Sequence, residues 1–189
     1  MSQLLQPLDF PLHGSRLIEA SAGTGKTWTI AALYLRLVLG HGGENAFHRP
    51  LVPSEILVMT FTRAATRELS DRIRERLVEA AACFRGERAV SNDDALLRAL
   101  FNSYHNDEER KSAAWRLALA AECMDEAAIY TIDAWCQRML REHAFDSGCL
   151  FDEKLEPDEL RLQMNAARDY WRQQCYPLTR DALETVVSI

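Results

Sequence analysis

A short run near the start of the chain has the residue types that bind phosphate. Residues 20–27 read Ala-Ser-Ala-Gly-Thr-Gly-Lys-Thr. Gly23 and Gly25 allow backbone conformations that bring N–H groups against phosphate oxygens. Lys26 can reach the β- and γ-phosphates of a nucleotide, and the Thr27 hydroxyl is placed to ligate Mg²⁺. The spacing therefore predicts a nucleoside triphosphate site with Lys26 and Thr27 as catalytic residues and Thr27 as a metal ligand.

The elements on either side must position this loop. Residues 16–20 predict a short buried strand. Residues 28–39 predict an amphipathic helix that ends at Gly40, with an apolar stripe of Ile30, Leu33, Tyr34, Leu37 and Val38. The positive end of that helix would face the phosphates. The alternative is a glycine-rich turn whose lysine is only solvated. The residues predicted to contact the nucleotide are Ala20, Ser21, Ala22, Gly23, Thr24, Gly25, Lys26, Thr27 and Trp28.

Composition narrows the class of protein. The 189 residues suffice for one domain, or for one domain and the start of another. No apolar run approaches about 20 residues, the length of a membrane span, and no export signal is visible. The five cysteines form no Cys-x-x-Cys pair, which predicts reduced thiols and a cytoplasmic location. The net charge of −6 argues only weakly against nucleic acid, because a protein can bind a phosphate backbone locally and still be acidic overall.

The rest of the chain alternates between strand and helix patterns. Residues 56–60 form a continuous apolar run, typical of a strand covered on both faces, and Thr62 follows at the N-cap position of a long helix. Such alternation after a phosphate loop predicts an α/β fold with a parallel sheet flanked by helices. The apolar stripe of the long helix is Leu69, Ile73, Leu77, Ala80 and Phe84. Further helices are predicted near 93–103, 107–124, 133–144 and 157–176, with a strand at 127–131 and a last helix or strand before residue 189.

The end of the second predicted strand carries Thr60, Phe61, Thr62 and Arg63. Ligands bind at the carboxyl edge of open parallel sheets, and hydroxyls with helix-terminal amides can hold a nucleic-acid phosphate there. The alternative is a plain N-cap followed by an aromatic core residue. Local chemistry alone leaves both interpretations open.

Arginines and carboxylates alternate along the following helix. Their spacing suits i,i+4 pairs on a solvated face. Of the arginines, Arg63 is the best candidate for a phosphate ligand because it adjoins the Thr60–Thr62 segment. The arginines are Arg63, Arg67, Arg72, Arg74 and Arg76, and the carboxylates are Glu68, Asp71, Glu75 and Glu79.

Three segments together resemble one protein family. They are the phosphate loop, the run Val-Met-Thr-Phe-Thr-Arg-Ala-Ala-Thr-Arg-Glu-Leu, and the run Tyr-Thr-Ile-Asp-Ala-Trp-Cys-Gln-Arg-Met-Leu. The chain resembles superfamily 1A DNA helicases of the Rep/UvrD type from about residue 15 onward. The resemblance implies ATP at residues 20–27, single-stranded DNA at residues 60–65, and a second DNA-facing segment that includes Thr131 and Asp133. The family more often has histidine where this chain has Asp133.

The resemblance also implies an architecture and partners. Residues 1–150 would belong to motor domain 1A, with a RecA-like parallel sheet, and residues 151–189 would begin the inserted helical subdomain 1B. The implied ligands are ATP with Mg²⁺, a single-stranded DNA track and a duplex end, and the implied partners are RecC- and RecD-type subunits. In the family, the acidic pair that binds Mg²⁺, the arginine finger, the second motor domain and a nuclease domain lie much further along the chain. We therefore expect this chain to be the N-terminal part of a larger enzyme and to hydrolyse no ATP alone.

Two acidic positions could instead complete an ATPase within this chain. Asp125 and Glu126 precede their predicted strand, which would place them at the wrong edge of the sheet. Asp133 follows an apolar strand and could bind the metal. The rival hypothesis is therefore a small stand-alone phosphotransferase, such as a nucleotide or metabolite kinase, with Asp133 as its metal aspartate. A third possibility is a nucleotide-dependent interaction module without catalysis.

Overall fold

Two short strands pair in parallel near the middle of the chain, β1 (Val58–Thr60) and β2 (Ile129–Thr131). The computed structural model describes residues 5–21, 23–148 and 158–187. It divides the chain into two units, Met1–Met139 and Leu140–Ile189, and the sheet belongs to the first. The chain is thus a mixed α/β protein with a small parallel sheet and many helices.

Helices surround this sheet in the first unit. Side chains begin several of them by local chemistry: Thr62, Asp94 and Asn106 each accept a hydrogen bond from the amide three residues on. Gly40 ends the first helix in the left-handed conformation with φ 66°. The helices are α1 (Lys26–Leu39), α2 (Arg63–Phe84), α3 (Ala95–Asn102), α4 (Asp107–Glu122) and α5 (Ile132–Glu142), the last of which ends beyond the unit boundary.

The described part of the second unit consists of helices joined by short turns. It contains α6 (Ala144–Ser147), α7 (Glu159–Cys175) and α8 (Arg180–Val187). Asp158 caps α7, since its carboxylate accepts the amide N–H of Arg161 at 3.0 Å. The predicted helix near 157–176 is confirmed over its described residues, whereas Pro157 lies outside them. Across the described ranges, no helix has the length and apolarity needed to cross a bilayer.

The core of the first unit forms where α2 packs against α4 and α1. The apolar stripe predicted for α2 is confirmed, because Leu69, Ile73, Leu77, Ala80 and Phe84 are all buried. The stripe predicted for α1 is only partly correct. Ile30 is 37% exposed, while Ala31, Leu35 and Arg36 are buried. From residue 31 onward α1 is covered on several sides, so a single-stripe pattern underestimates its burial.

The strand predicted at residues 16–20 is absent. These residues have no regular secondary structure and form no ladder with the described strands, and the Leu17 side chain is 83% exposed. A strand exists only where neighbouring backbone accepts and donates its hydrogen bonds, and β1 pairs with β2 alone among the described residues. The apolar pattern of this segment was therefore insufficient to define its structure.

One charged side chain is completely buried in this unit. Arg36 on α1 is 0% exposed, and its Nη1 donates hydrogen bonds of 2.6 Å to the carbonyl oxygens of both Pro7 and Phe10. Gly42 makes room for the guanidinium, because a Cβ at that position would lie 2.4 Å from Arg36 Nη2. Arg36 therefore fastens the segment that precedes the phosphate loop to the helix that follows it.

An ion pair joins α2 to the start of α3. Arg76 binds the Asp94 carboxylate with both Nη atoms, one bond measuring 2.8 Å, and Asp94 also accepts the Leu97 amide at 2.9 Å. Burial alone would raise the pKa of Asp94. The hydrogen bonds from Arg76 and Leu97 outweigh that effect and hold the pKa below the usual value of 3.8.

We expect Asp94→Asn to lower the free energy of unfolding by about 2 kcal/mol at pH 7, because it removes the charge paired with Arg76, whereas the asparagine amide oxygen can still cap α3. A carboxylate whose pKa is lowered by folding stabilises the fold above its unfolded pKa and loses that contribution as the pH falls through the folded value. The difference between wild type and variant should therefore shrink below about pH 4. Urea unfolding at several pH values measures it, with the exposed Asp93→Asn as control. A difference that stayed constant down to pH 2 would contradict the ion-pair account.

Candidate nucleotide and nucleic-acid site

The loop before α1 is shaped by two glycines with positive φ. Gly23 has φ 77° and Gly25 has φ 83°. A Cβ at either position would meet nothing within 4 Å, so the backbone conformation rather than lack of space requires glycine here. The same openness leaves the loop accessible to a ligand. Gly25 is also the N-cap of α1, where the first amides of a helix have no partner within the helix.

The lysine of the loop folds back over it. Lys26 Nζ donates to the carbonyl oxygen of Ala20 at 3.0 Å and to that of Ser21 at 2.7 Å. Thr24 Oγ1 also donates to the Ser21 carbonyl, at 2.8 Å. An ammonium group has three N–H donors. Two of them bind the carbonyl oxygens of Ala20 and Ser21, so the third remains for an anion. The ammonium therefore lies over an open glycine loop at a helix N-terminus, an arrangement that fits a phosphate group.

The remaining loop residues fit the same ligand. Thr27 is half-buried in the first turn of α1, and Trp28 is exposed beside it. The described residues contain no group of three or more His, Cys, Asp or Glu side chains that could hold a metal. A Mg²⁺ ion at Thr27 would therefore take most of its oxygens from the bound phosphates and water. Ala22, also predicted to contact the nucleotide, lies outside the described residues.

The segment after β1 is exposed at the carboxyl edge of the sheet. Phe61 is 88% exposed, so the alternative that it is a core residue is wrong. Thr62 Oγ1 accepts the amide N–H of Ala65 at 3.1 Å and thus caps α2. Thr60 Oγ1 forms a 2.5 Å hydrogen bond with Thr66 Oγ1. The threonine hydroxyls thus fix the turn internally and leave the aromatic ring projecting into solvent.

The segment after β2 lies at the same edge. Because Thr60 pairs with Thr131 in a parallel register, the residues that follow both strands emerge side by side. Thr131 Oγ1 accepts the amide N–H of Ala134 at 3.2 Å, and Asp133 is exposed in the first turn of α5. The fold thus brings two of the three predicted segments together. Within the described residues, no strand next to the phosphate loop pairs with β1 or β2, so the sheet does not connect the loop to this edge.

Asp125 lies away from that edge. It belongs to a 3-10 turn, Cys123–Glu126, that precedes β2, as the sequence predicted. Its carboxylate forms an ion pair of 2.5 Å with Arg74 and is largely solvent-exposed. It therefore has no access to a ligand at the carboxyl edge.

The prediction of i,i+4 ion pairs along α2 is wrong. Arg76 instead pairs with Glu79, three residues further along the helix, and with Asp94 at the start of α3. Arg74 pairs with Asp125 from a different element. Among the described residues, Arg63 and Arg67 form no ion pair, and both are exposed. Tertiary neighbours thus compete successfully with the weak local pairs of a solvated helix face.

Comparison with known proteins supports the family resemblance that the three sequence segments indicated. Residues 2–186 match the model of the UvrD/REP helicase N-terminal domain. The chain is 51% identical over 187 residues to the RecBCD enzyme subunit RecB of Escherichia coli (strain K12), a match that covers 98% of this chain. It is 46% identical over 179 residues, or 92% of the chain, to RecB of Haemophilus influenzae. It is 37% identical over 142 residues, or 74% of the chain, to RecB of Mycobacterium tuberculosis.

These matches occupy a small part of the relatives. The chain spans 15% of the E. coli protein, 14% of the H. influenzae protein and 12% of the M. tuberculosis protein. The family match, in contrast, covers nearly the whole chain, including the glycine loop and both segments at the carboxyl edge of the sheet. It favours a helicase over the stand-alone phosphotransferase considered above. The chain belongs to the UvrD/REP helicase family, whose N-terminal domain it matches.

Proposed function

We propose that this chain is the ATP-binding N-terminal part of an ATP-dependent DNA helicase and exonuclease subunit. The complete enzyme would unwind and process double-strand DNA ends for recombinational repair, together with RecC- and RecD-type subunits. Support comes from the family match over residues 2–186 and from relatives named as the RecB subunit of the RecBCD enzyme. Because those relatives are far longer, the nuclease activity and the partner subunits are proposed for the complete protein.

The observation that carries the nucleotide part of this proposal is the position of Lys26. Its ammonium is held by two loop carbonyls over an open glycine loop at the N-terminus of α1. MgATP would supply the γ-phosphate whose hydrolysis drives translocation. Lys26 would offset the negative charge on that phosphate, and the amides of residues 23–26 would orient it. Thr27 would hold the metal, and Trp28 would line the site.

The exposed edge of the sheet supports the DNA part. Phe61 offers a ring on which a base can stack without sequence preference, and Arg63 is exposed beside it for a phosphate. Thr60 and Thr62 would fix the path of this turn, and Thr131 with the backbone at Asp133 would line the neighbouring part of the track. In the complete domain the sheet that contains β1 would also carry the phosphate loop, so Thr60 to Thr62, at the end of β1, would couple nucleotide state to DNA binding.

The proposed architecture follows the family. Residues 1–150 would form motor domain 1A with a RecA-like fold, and residues 151–189 would begin subdomain 1B, of which the structure describes residues 158–187. Residues 16–20, with Leu17 and Ile18 exposed, would then pair with strands contributed by other parts of the complete protein. By itself the chain would provide one wall of the ATP cleft and hydrolyse no ATP.

Phosphate release in the presence of ATP and oligo(dT) tests this function. The chain alone should release no phosphate above background. The complete protein should hydrolyse ATP faster when single-stranded DNA is present, and Phe61→Ala should reduce that stimulation about 10-fold, because base stacking contributes about 1–3 kcal/mol. The exposed Phe145→Ala is the matched control, and it should leave stimulation unchanged. DNA-stimulated hydrolysis by this chain alone, or full stimulation of the Phe61 variant, would refute the assignment.

A further inference from the structure

A buried arginine holds the beginning of the chain against the end of α1. Arg36 is completely buried, and its Nη1 binds the carbonyl oxygens of Pro7 and Phe10, both at 2.6 Å. We call residues 5–12 together with Arg36 the N-terminal clasp. Residues 13–19 connect the clasp to the phosphate loop, so opening of the clasp would release the chain that leads into the loop.

His41 lies at the same end of α1 and is fixed there by its backbone. Its amide donates a hydrogen bond of 2.9 Å to the carbonyl oxygen of Arg36, directly after Gly40, which ends the helix with φ 66°. The His41 side chain is half-buried, and its Nδ1 is buried without a hydrogen-bond partner among the described residues. The imidazole is therefore held within the electrostatic range of the Arg36 guanidinium while the clasp is closed.

The unpaired polar atoms of this site cannot accommodate another proton. Arg36 Nε and Nη2 are buried donors that have no partner in the part of the chain that the structure describes, whereas Nδ1 of neutral His41 can serve as an acceptor. Protonation would turn that nitrogen into a third buried donor. Among the described residues, the charged groups that act on His41 are Arg36 from α1 and the exposed Asp9 from the clasp. Burial and Arg36 lower the pKa of His41, and Asp9 offsets this effect only in part.

We propose that the N-terminal clasp is a pH-sensitive switch that is closed while His41 is neutral and opens when His41 is protonated. In the open state the imidazole is solvated and titrates near its ordinary pKa of about 6.5. Because closure lowers the pKa of His41, the closed state is fully stable above about pH 6.5 and loses stability as the pH falls below that value. At about pH 5.5 the population of the open state rises by at most about 10-fold, the limit for a histidine that titrates only in the open state.

Hydrogen exchange of the complete protein at about pH 7.5 and about pH 5.5, measured by mass spectrometry, tests the switch. The reporter is the Leu12 amide, which donates a hydrogen bond of 2.8 Å from the clasp to the carbonyl oxygen of Asn45. After correction for the intrinsic pH dependence of exchange, protection of the peptide that contains Leu12 should fall by about 3- to 10-fold at the lower pH. His41→Asn keeps a neutral polar side chain that does not titrate, so its protection should change less than about 2-fold.

Two controls separate the clasp from the rest of the molecule. His105→Asn removes an exposed histidine between α3 and α4 and should keep the pH dependence of the wild type. The Val58 amide, which donates to the Ala128 carbonyl oxygen at 2.8 Å, should be equally protected at both pH values. Unchanged protection of Leu12 in the wild type would overturn the proposal. The same loss in His41→Asn, or an equal loss at Leu12 and Val58, would also overturn it, because the opening would then not depend on His41 or not be confined to the clasp.

Discussion

Replacing Lys26 with alanine is expected to lower the rate of ATP hydrolysis by the complete protein at least about 100-fold, the usual consequence of removing a preorganised group that stabilises transition-state charge. The ammonium is held over the loop by the carbonyls of Ala20 and Ser21, so its position does not depend on the ligand. Alanine leaves the amides of the loop but removes the positive charge. Both kcat and DNA unwinding should therefore fall together.

Phosphate release at saturating ATP and single-stranded DNA measures this loss. Lys26 is exposed and contacts only its own loop, so the variant should keep the wild-type melting temperature and its affinity for oligo(dT) without nucleotide. Arg116→Ala on α4 is the control for loss of an exposed positive charge. Hydrolysis within a few-fold of the wild type would show that Lys26 does not act on the γ-phosphate.

The second large effect concerns stability rather than catalysis. We expect Arg36→Met to lower the free energy of unfolding by about 3 kcal/mol, because the partly buried carbonyl oxygens of Pro7 and Phe10 lose their donor. Methionine fills similar volume, so the loss reports hydrogen bonding rather than a cavity. For a chain of this length, the melting temperature should fall by about 6 to 12 °C.

Thermal unfolding and NMR titration together distinguish this mechanism from general loss of packing. Burial and the positive charge of Arg36 both lower the pKa of His41, whose Nδ1 is buried beside this arginine. The His41 pKa should therefore rise in Arg36→Met. The exposed Arg116→Met should alter neither the melting temperature nor the pKa of His41. An unchanged melting temperature would contradict the role assigned to Arg36.

The sequence was sufficient wherever structure follows from neighbouring residues. Gly23 and Gly25 adopt positive φ because their own backbone permits it, and Thr62 caps α2 because the amide it binds is three residues away. The period of the apolar residues located α2 and its buried stripe correctly. These local features sufficed to indicate a phosphate-binding loop and an α/β fold, and the combination of three segments indicated the helicase family.

Tertiary structure decided everything that depends on distant partners. Residues 16–20 contain Leu17 and Ile18 in a strand-like pattern, yet they form no strand with the described residues, because a strand needs paired backbone from elsewhere in the chain. Phe61 projects into solvent and Arg36 is buried, the reverse of what hydrophobicity alone predicts. Arg76 and Arg67 lie on one helix with similar local charges, but only Arg76 meets Asp94 from the next helix. Local propensities act over three or four residues, whereas burial, ion pairing and strand pairing are set by contacts between segments far apart in sequence.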